Sequence, residues 1–133
     1  MNPVVHFEMP YDSADRMARF YESAFGWKMH AMGEASGNYV VATTTPSSED
    51  GRPTTAGCIN GGFFPRKPDW PMQHPSVVVS VPDIRAAMAK VTQAGGKVLG
   101  EPMDIPGVGA YVSFEDTEGN RASMLQPLAM AGR

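Results

Sequence analysis

The sequence predicts an α+β fold built from two βαβββ modules, and three observations lead there. The first is an internal repeat: strand, capped helix, glycine and three strands occur twice, as VVHFEMP before DSADRMARFYESAFG and as SVVVSVP before DIRAAMAKVTQAGG. Each copy takes roughly 55 to 60 residues, too long and too few for a solenoid. The second is periodicity, since apolar residues alternate at the start of each copy and then recur at three- and four-residue spacing. The third is size: 133 residues with 42% hydrophobic content bury an ordinary core. One continuous domain is expected, with module 1 over about 1–64, a connection over 65–74, module 2 over 75–127 and a tail over 128–133.

In module 1, Val5, Phe7 and Met9 face one way along the first strand, Val4 to Met9, while His6 and Glu8 face the other. After the turn PYD, Ser13 caps a helix whose stripe is Met17, Phe20, Tyr21, Ala24 and Phe25, and Gly26 closes it. Trp27 to Met32 and Asn38 to Thr43 read as strands around the loop GEASG. TTPSSEDGRP is an exposed turn region, and Ala56 to Phe63 is the fourth strand. The pair Gly61 and Gly62 marks a bulge or a place of close approach. Four prolines in PRKPDWPMQHP make that segment an extended connection.

Module 2 is the tighter copy. Val77, Val79 and Val81 alternate with Ser76, Val78 and Ser80, which puts one strand face on a core. Asp83 caps a helix with Ile84, Ala87, Met88 and Val91 on one stripe, and Gly95 and Gly96 end it. Lys97 to Gly100, Ala110 to Glu115 and Arg121 to Gln126 are the remaining strands, separated by EPMDIPGVG and DTEGN. Val112 and Phe114 suit the helix side, which sends Tyr111, Ser113 and Glu115 to the opposite face. Ser123 follows if Ala122 and Met124 face the helix.

Composition excludes several partners. The formal net charge is −3 with scattered basic residues, so nothing supplies the basic stripe that neutralises phosphates, and no nucleic acid is expected. No apolar run approaches the roughly 20 residues that span a bilayer. A cytoplasmic protein with no membrane partner is expected. Cys58, the one cysteine, precludes an internal disulfide, and in the apolar stretch AGCIN it reads as a small buried side chain.

The segments HFEMPYDSADRMARFYESAFGWK, CINGGFFPR, VSVPDIRAAMAKVTQAGGKV and PGVGAYVSFEDTEGNRASMLQ resemble the vicinal oxygen chelate superfamily, which includes glyoxalase I, bleomycin-resistance proteins and extradiol dioxygenases. The likeness covers nearly the whole chain, and the recurring DPEGN turn of that family stands here as Asp116-Thr117-Glu118-Gly119-Asn120. A short HFE start and an INGG strand place it nearest a glyoxalase-related branch. The resemblance implies a cupped mixed sheet and a homodimer. It does not imply one activity, because the fold hosts isomerases, dioxygenases, lyases and binders.

Metal-dependent members carry ligands on the first and fourth strands of each module. By resemblance these slots fall at His6, at or near Asn60, at Ser76 and at Ser123. Only His6 is a ligand-competent side chain, since hydroxyls and amides replace charged or imidazole ligands poorly. No cofactor and no tight catalytic metal are therefore expected. Two rescue candidates for a divalent metal remain, Glu8 beside His6 on one strand face and His74, displaced from the vacant slot by about 6–7 Å of extended chain. His6 and Glu8 are also the candidates for acid–base catalysis, against the plainer reading of a hydrogen-bonded polar pair. The expected ligand cleft is lined by His6, Glu8, Tyr39, Asn60, Ser76, Tyr111, Ser113 and Ser123, and its hydroxyls, amides and aromatic rings suit an uncharged or mildly polar small molecule. The leading expectation is a metal-independent small-molecule binding protein. The alternative is a lyase or isomerase resembling glyoxalase I, and a third reading is an interaction module.

Overall fold

The structure is a computed structural model describing residues 1–70 and 72–128, so Pro71 of the connection and residues 129–133 of the tail lie outside it. Two compact units divide the chain. One is His6–Pro75, and the other joins Met1–Val5 to the chain from Ser76 onward. In chain order the first module comprises β1 (Val4–Tyr11), α1 (Ala14–Phe25), β2 (Lys28–Ala31), a 3-10 turn (Glu34–Ser36), β3 (Val40–Thr43) and β4 (Asn60–Pro65). The second comprises β5 (Ser76–Ser80), α2 (Ile84–Gln93), β6 (Lys97–Ile105), β7 (Gly109–Glu115) and β8 (Arg121–Pro127). The strand order is β2-β3-β4-β1 in the first and β5-β8-β7-β6 in the second. Within each, the first strand pairs in parallel with the fourth and the other neighbours are antiparallel. Two βαβββ modules of identical strand order are thus present.

Both helices begin and end as their sequences require. The Ser13 hydroxyl accepts from the Arg16 amide at 3.3 Å and the Asp83 carboxylate from the Ala86 amide at 3.1 Å, each satisfying a helix-start N–H that has no partner within the helix. Gly26 ends α1 at φ 72°, a left-handed conformation open to glycine without a Cβ clash, and its N–H returns to the Glu22 carbonyl at 3.0 Å. Under α1, the buried residues Val40, Ala42 and Phe63 pack with Phe7, Met9, Met17, Tyr21 and Trp27. The Tyr21 and Trp27 rings stack at 4.7 Å. Under α2, Val81, Ile84, Val112 and Met124 pack with Val79, Ala87, Met88 and Val91. Apolar side chains of each sheet thus fill its helix-covered face, and the period of two leaves the other face to His6 and Glu8 or to Ser113 and Ser123.

Several sequence expectations need correction. The fourth strand starts at Asn60, not Ala56, and Cys58 is exposed rather than buried because it lies in the turn preceding that strand. Gly61 and Gly62 form no bulge: the β1–β4 register runs unbroken from His6↔Asn60 to Tyr11↔Pro65. They are places of close approach instead, Gly61 under the Phe7 ring and Gly62 under Tyr39, where a Cβ would overlap either ring. β6 continues through EPMDI to Ile105, its register shifting between Leu99 and Met103. Gly100, at φ 95°, absorbs that shift, and Pro102 falls in it where no ladder N–H is needed. β1 likewise runs on through Pro10 and Tyr11, whereas β2 and β3 are shorter than expected. Val77 is exposed rather than core-facing, and Val78 is buried on the opposite face.

The connection is folded rather than extended. The Gln73 side chain accepts from the Lys67 amide and donates to the Lys67 and Trp70 carbonyls, closing the loop on itself. The DTEGN turn is similarly tied. Asp116 accepts from the amides of Glu118 and Asn120 and from the Asn120 side chain, and these bonds hold its carboxyl below the usual carboxylate range. Among the described residues no helix is long and apolar enough to cross a membrane.

Candidate functional site

On the helix-free face of the first module, β1 presents His6 and Glu8 two residues apart, opposite Asn60 and Gly62 of β4. Tyr39 precedes β3 and shares the face of Val41, which pairs with Gly62. Because Gly62 has no side chain, the Tyr39 ring lies across that strand and its hydroxyl reaches both β1 side chains. The distances are 2.8 Å to His6 Nε2 and 3.1 Å to Glu8 Oε2.

The direction of this chain follows from counting protons. A phenol has one hydrogen, and an ionised Glu8 carboxylate, which can only accept, takes it. The phenol oxygen then accepts from Nε2–H of a neutral imidazole, leaving Nδ1 as the basic nitrogen. Burial supports the neutral form, holding the His6 imidazole down at about 4 instead of 6.5. Glu8 is itself only 8% exposed. The cluster is therefore a directed relay, His6 to Tyr39 to Glu8, which runs from half-buried His6 and Tyr39 to the buried carboxylate.

On the helix-free face of the second module, Ser113 and Ser123 are directly paired across β7 and β8, with Tyr111 two residues along. Ser123 Oγ lies 2.7 Å from Tyr111 Oη and 3.0 Å from Ser113 Oγ. Arg121, absent from the expected set, donates from Nη2 to Ser113 Oγ at 3.3 Å. Strand alternation alone could have found it, since Arg121 and Ser123 are two residues apart. Ser76 lies on the same face, two residues before Val78, which pairs with Ser123.

The structure brings His6, Glu8 and Tyr39 into one cluster and Tyr111, Ser113 and Ser123 into another, and it gives two expected residues other surroundings. Asn60 is occupied by its own loop. Its Oδ1 accepts from the Thr44 amide at 2.8 Å and its Nδ2 donates to Ser47 Oγ at 2.8 Å and to the Gly51 carbonyl at 3.2 Å. His74 is exposed in the connection. An open groove of about 480 Å³ lies on the helix side of the first module, between Met9, Met17, Phe20 and Phe63, with the Asp12–Arg66 ion pair among its lining residues. It carries neither His6 nor Glu8.

These residues do not fit a divalent metal. Among those described, no three His, Cys, Asp or Glu side chains gather. Ser123 is committed to hydroxyl partners and Asn60 to its loop. His6 Nε2 and Glu8 Oε2 converge on one point, but the Tyr39 oxygen occupies it, and ligand–metal bonds of about 2.0–2.2 Å leave no room for both.

Comparison with known proteins places these faces in context. The family model of the Glyoxalase/Bleomycin resistance protein/Dioxygenase superfamily matches residues 4–124. CFP32 of Mycobacterium bovis, a protein with a provisional glyoxylase name, is 35% identical over 121 residues, 90% of this chain but 42% of that protein. The chain thus spans less than half the length of that relative. A glyoxylase-like domain-containing protein of Didymella fabae is 33% identical, covering 85% of this chain and 84% of the relative. Among solved structures, a variant of Streptomyces coelicolor methylmalonyl-CoA epimerase in complex with 2-nitronate-propionyl-CoA superposes with a TM-score of 0.70 at 16% identity, over 100% of this chain and 99% of that one. At that identity the likeness speaks for the fold alone.

Proposed function

We propose, since the chain belongs to the Glyoxalase/Bleomycin resistance protein/Dioxygenase superfamily, that it binds an uncharged or mildly polar small molecule on the helix-free faces of its modules and does so without a catalytic metal. One observation carries this reading: those faces hold buried, hydrogen-bonded polar chains where a purely structural sheet would bury apolar side chains. Glu8, Ser113 and Ser123 are each less than a tenth exposed. Burying such groups is costly even when they are bonded, so their presence points to a recognition surface. The proposed contacts are His6, Glu8 and Tyr39 on the first module's face and, taken separately, Ser76, Tyr111, Ser113 and Ser123 on the second module's face. Asn60 instead serves the loop it holds.

The test is a thermal-shift and native mass-spectrometry screen of aromatic and carbonyl-bearing metabolites without added metal. A compound that binds on the first module's face should lose roughly tenfold or more in affinity in His6→Ala, and one that binds on the second module's face should do so in Ser123→Ala. Binding that neither substitution alters refutes the reading.

A second reading is favoured by the relay itself. A neutral His6 linked through Tyr39 to Glu8 is equipped to move a proton, as a lyase or isomerase requires. Deuterium exchange next to a substrate carbonyl, followed by NMR and lost in Glu8→Gln, distinguishes it from binding alone.

A cytoplasmic homodimer completes the proposal. An exposed free thiol at Cys58 suits a reducing compartment. Phe20 and Phe25 leave 58% and 64% of their surface uncovered on α1, which self-association would reduce.

A further inference from the structure

The Tyr39 hydroxyl stands at the one point on which His6 and Glu8 converge, 2.8 Å from the imidazole nitrogen and 3.1 Å from the carboxylate oxygen. It reaches that point because Gly62 is a glycine, and because β3 and β4 are in register to bring Val41 opposite it. A Cβ at position 62 would overlap the phenol and push the ring away. Remove the phenol, and two side chains of the kinds that bind zinc or cobalt are left facing a shared volume on a rigid strand, two residues apart.

From this geometry we infer that Tyr39 is the specificity-determining residue that excludes divalent metal from His6 and Glu8, with Gly62 as the residue that admits it. The inference rests on the metal-independent reading of the site and adds the cause. The hydroxyl substitutes for an ion in two respects. It satisfies both groups at once, donating to the carboxylate and accepting from the imidazole, so neither has a reason to recruit a cation. With its hydrogen on an ionised Glu8, the phenol also selects the His6 tautomer protonated on Nε2, so the nitrogen pointing at the shared volume has no lone pair to offer. A metal must therefore displace the ring and shift that proton to Nδ1 or to solvent before it can bind.

The experiment is titration of the full chain with Co²⁺ and Zn²⁺, read by visible absorption and calorimetry rather than by activity. Wild type should show no stoichiometric binding. Tyr39→Ala should bind one ion per chain, about tenfold or more tighter than wild type, and the double variant His6→Ala/Tyr39→Ala should lose it. Tyr39→Phe removes the oxygen while keeping the ring, so it tests the exclusion if the alanine variant does not fold. It should weaken the block without abolishing it, giving intermediate affinity. Folded Tyr39 variants that bind metal no better than wild type overturn the role of Tyr39 and leave the small-molecule reading untouched. A wild-type chain that binds one ion through His6 overturns both this inference and the metal-independent part of that reading.

Discussion

Lowering the pH should destabilise this protein through one histidine, in a window set by its burial. Folding holds the His6 imidazole at about 4, against 6.5 for the free side chain. The unfolded chain therefore takes up the proton first, and stability falls as pH drops. The contribution is complete above pH 6.5, is lost on the way down to about 4, and flattens below that. At about 1.4 kcal/mol per pH unit, the whole step is about 3 kcal/mol, of which about 2 kcal/mol is lost between pH 7 and pH 5. The perturbation that isolates it is His6→Gln, whose amide can still donate to Tyr39 yet does not titrate. Urea unfolding at several pH values between 7 and 4.5, for wild type and variant, measures the difference in slope. Wild type should lose about 2 kcal/mol more than His6→Gln by pH 5. Parallel curves would refute the argument, since they would mean that folding leaves the affinity of His6 for its proton unchanged.

The geometry sets the outcome of five other substitutions. Gly62→Ala should displace the Tyr39 ring and cost about 2–4 kcal/mol in urea unfolding, because two hydrogen bonds to partly buried groups are broken together; Gly100→Ala, at the register shift of β6, should cost only about 1 kcal/mol, as strain without overlap. Asn60→Ala should free the segment between Thr44 and Gly51, so limited proteolysis should cut it there faster than wild type while the melting midpoint falls by several degrees. Ser13→Ala removes the cap on α1 and should cost about 1 kcal/mol, and Asp83→Ala should match it on α2.

What could be read in the sequence is what local periodicity controls. The stripe Ile84–Val91, the packing of Met17 and Tyr21 from an α1 stripe whose Phe20, Ala24 and Phe25 lie exposed instead, the caps Ser13 and Asp83, and the side-chain facing of Val112, Met124, Ser113 and Ser123 all depend on spacing within one element. The repeat then supplied the common topology. What could not be read depends on side chains reaching across the chain. Asn60 satisfies a loop sixteen residues away, and Gln73 closes its own connection, so a sequence reading treats the first as cleft lining and the second as spacer. The strand ends slipped for the same reason. β6 passes through a proline and a glycine that locally signal a turn, because pairing with β7 resumes beyond the register shift. Within the site, the shared strand face of His6 and Glu8 was visible from alternation, but the part played by Tyr39 depended on the register of β3 against β4.

The two adjacent glycines of β4 have a consequence for how this sequence can change. Each surrenders its side-chain volume to an aromatic ring, Gly61 to Phe7 on the helix side and Gly62 to Tyr39 on the other. Positions 61 and 7, and positions 62 and 39, therefore cannot drift independently: a larger residue at either glycine is tolerable only after its ring has shrunk. The order of steps matters, because enlarging the glycine first passes through a clash, whereas trimming the ring first passes through a void, the milder of the two. Among descendants of this chain, Gly62 should outlast Tyr39, and a side chain at position 62 should appear only where position 39 has already lost its ring.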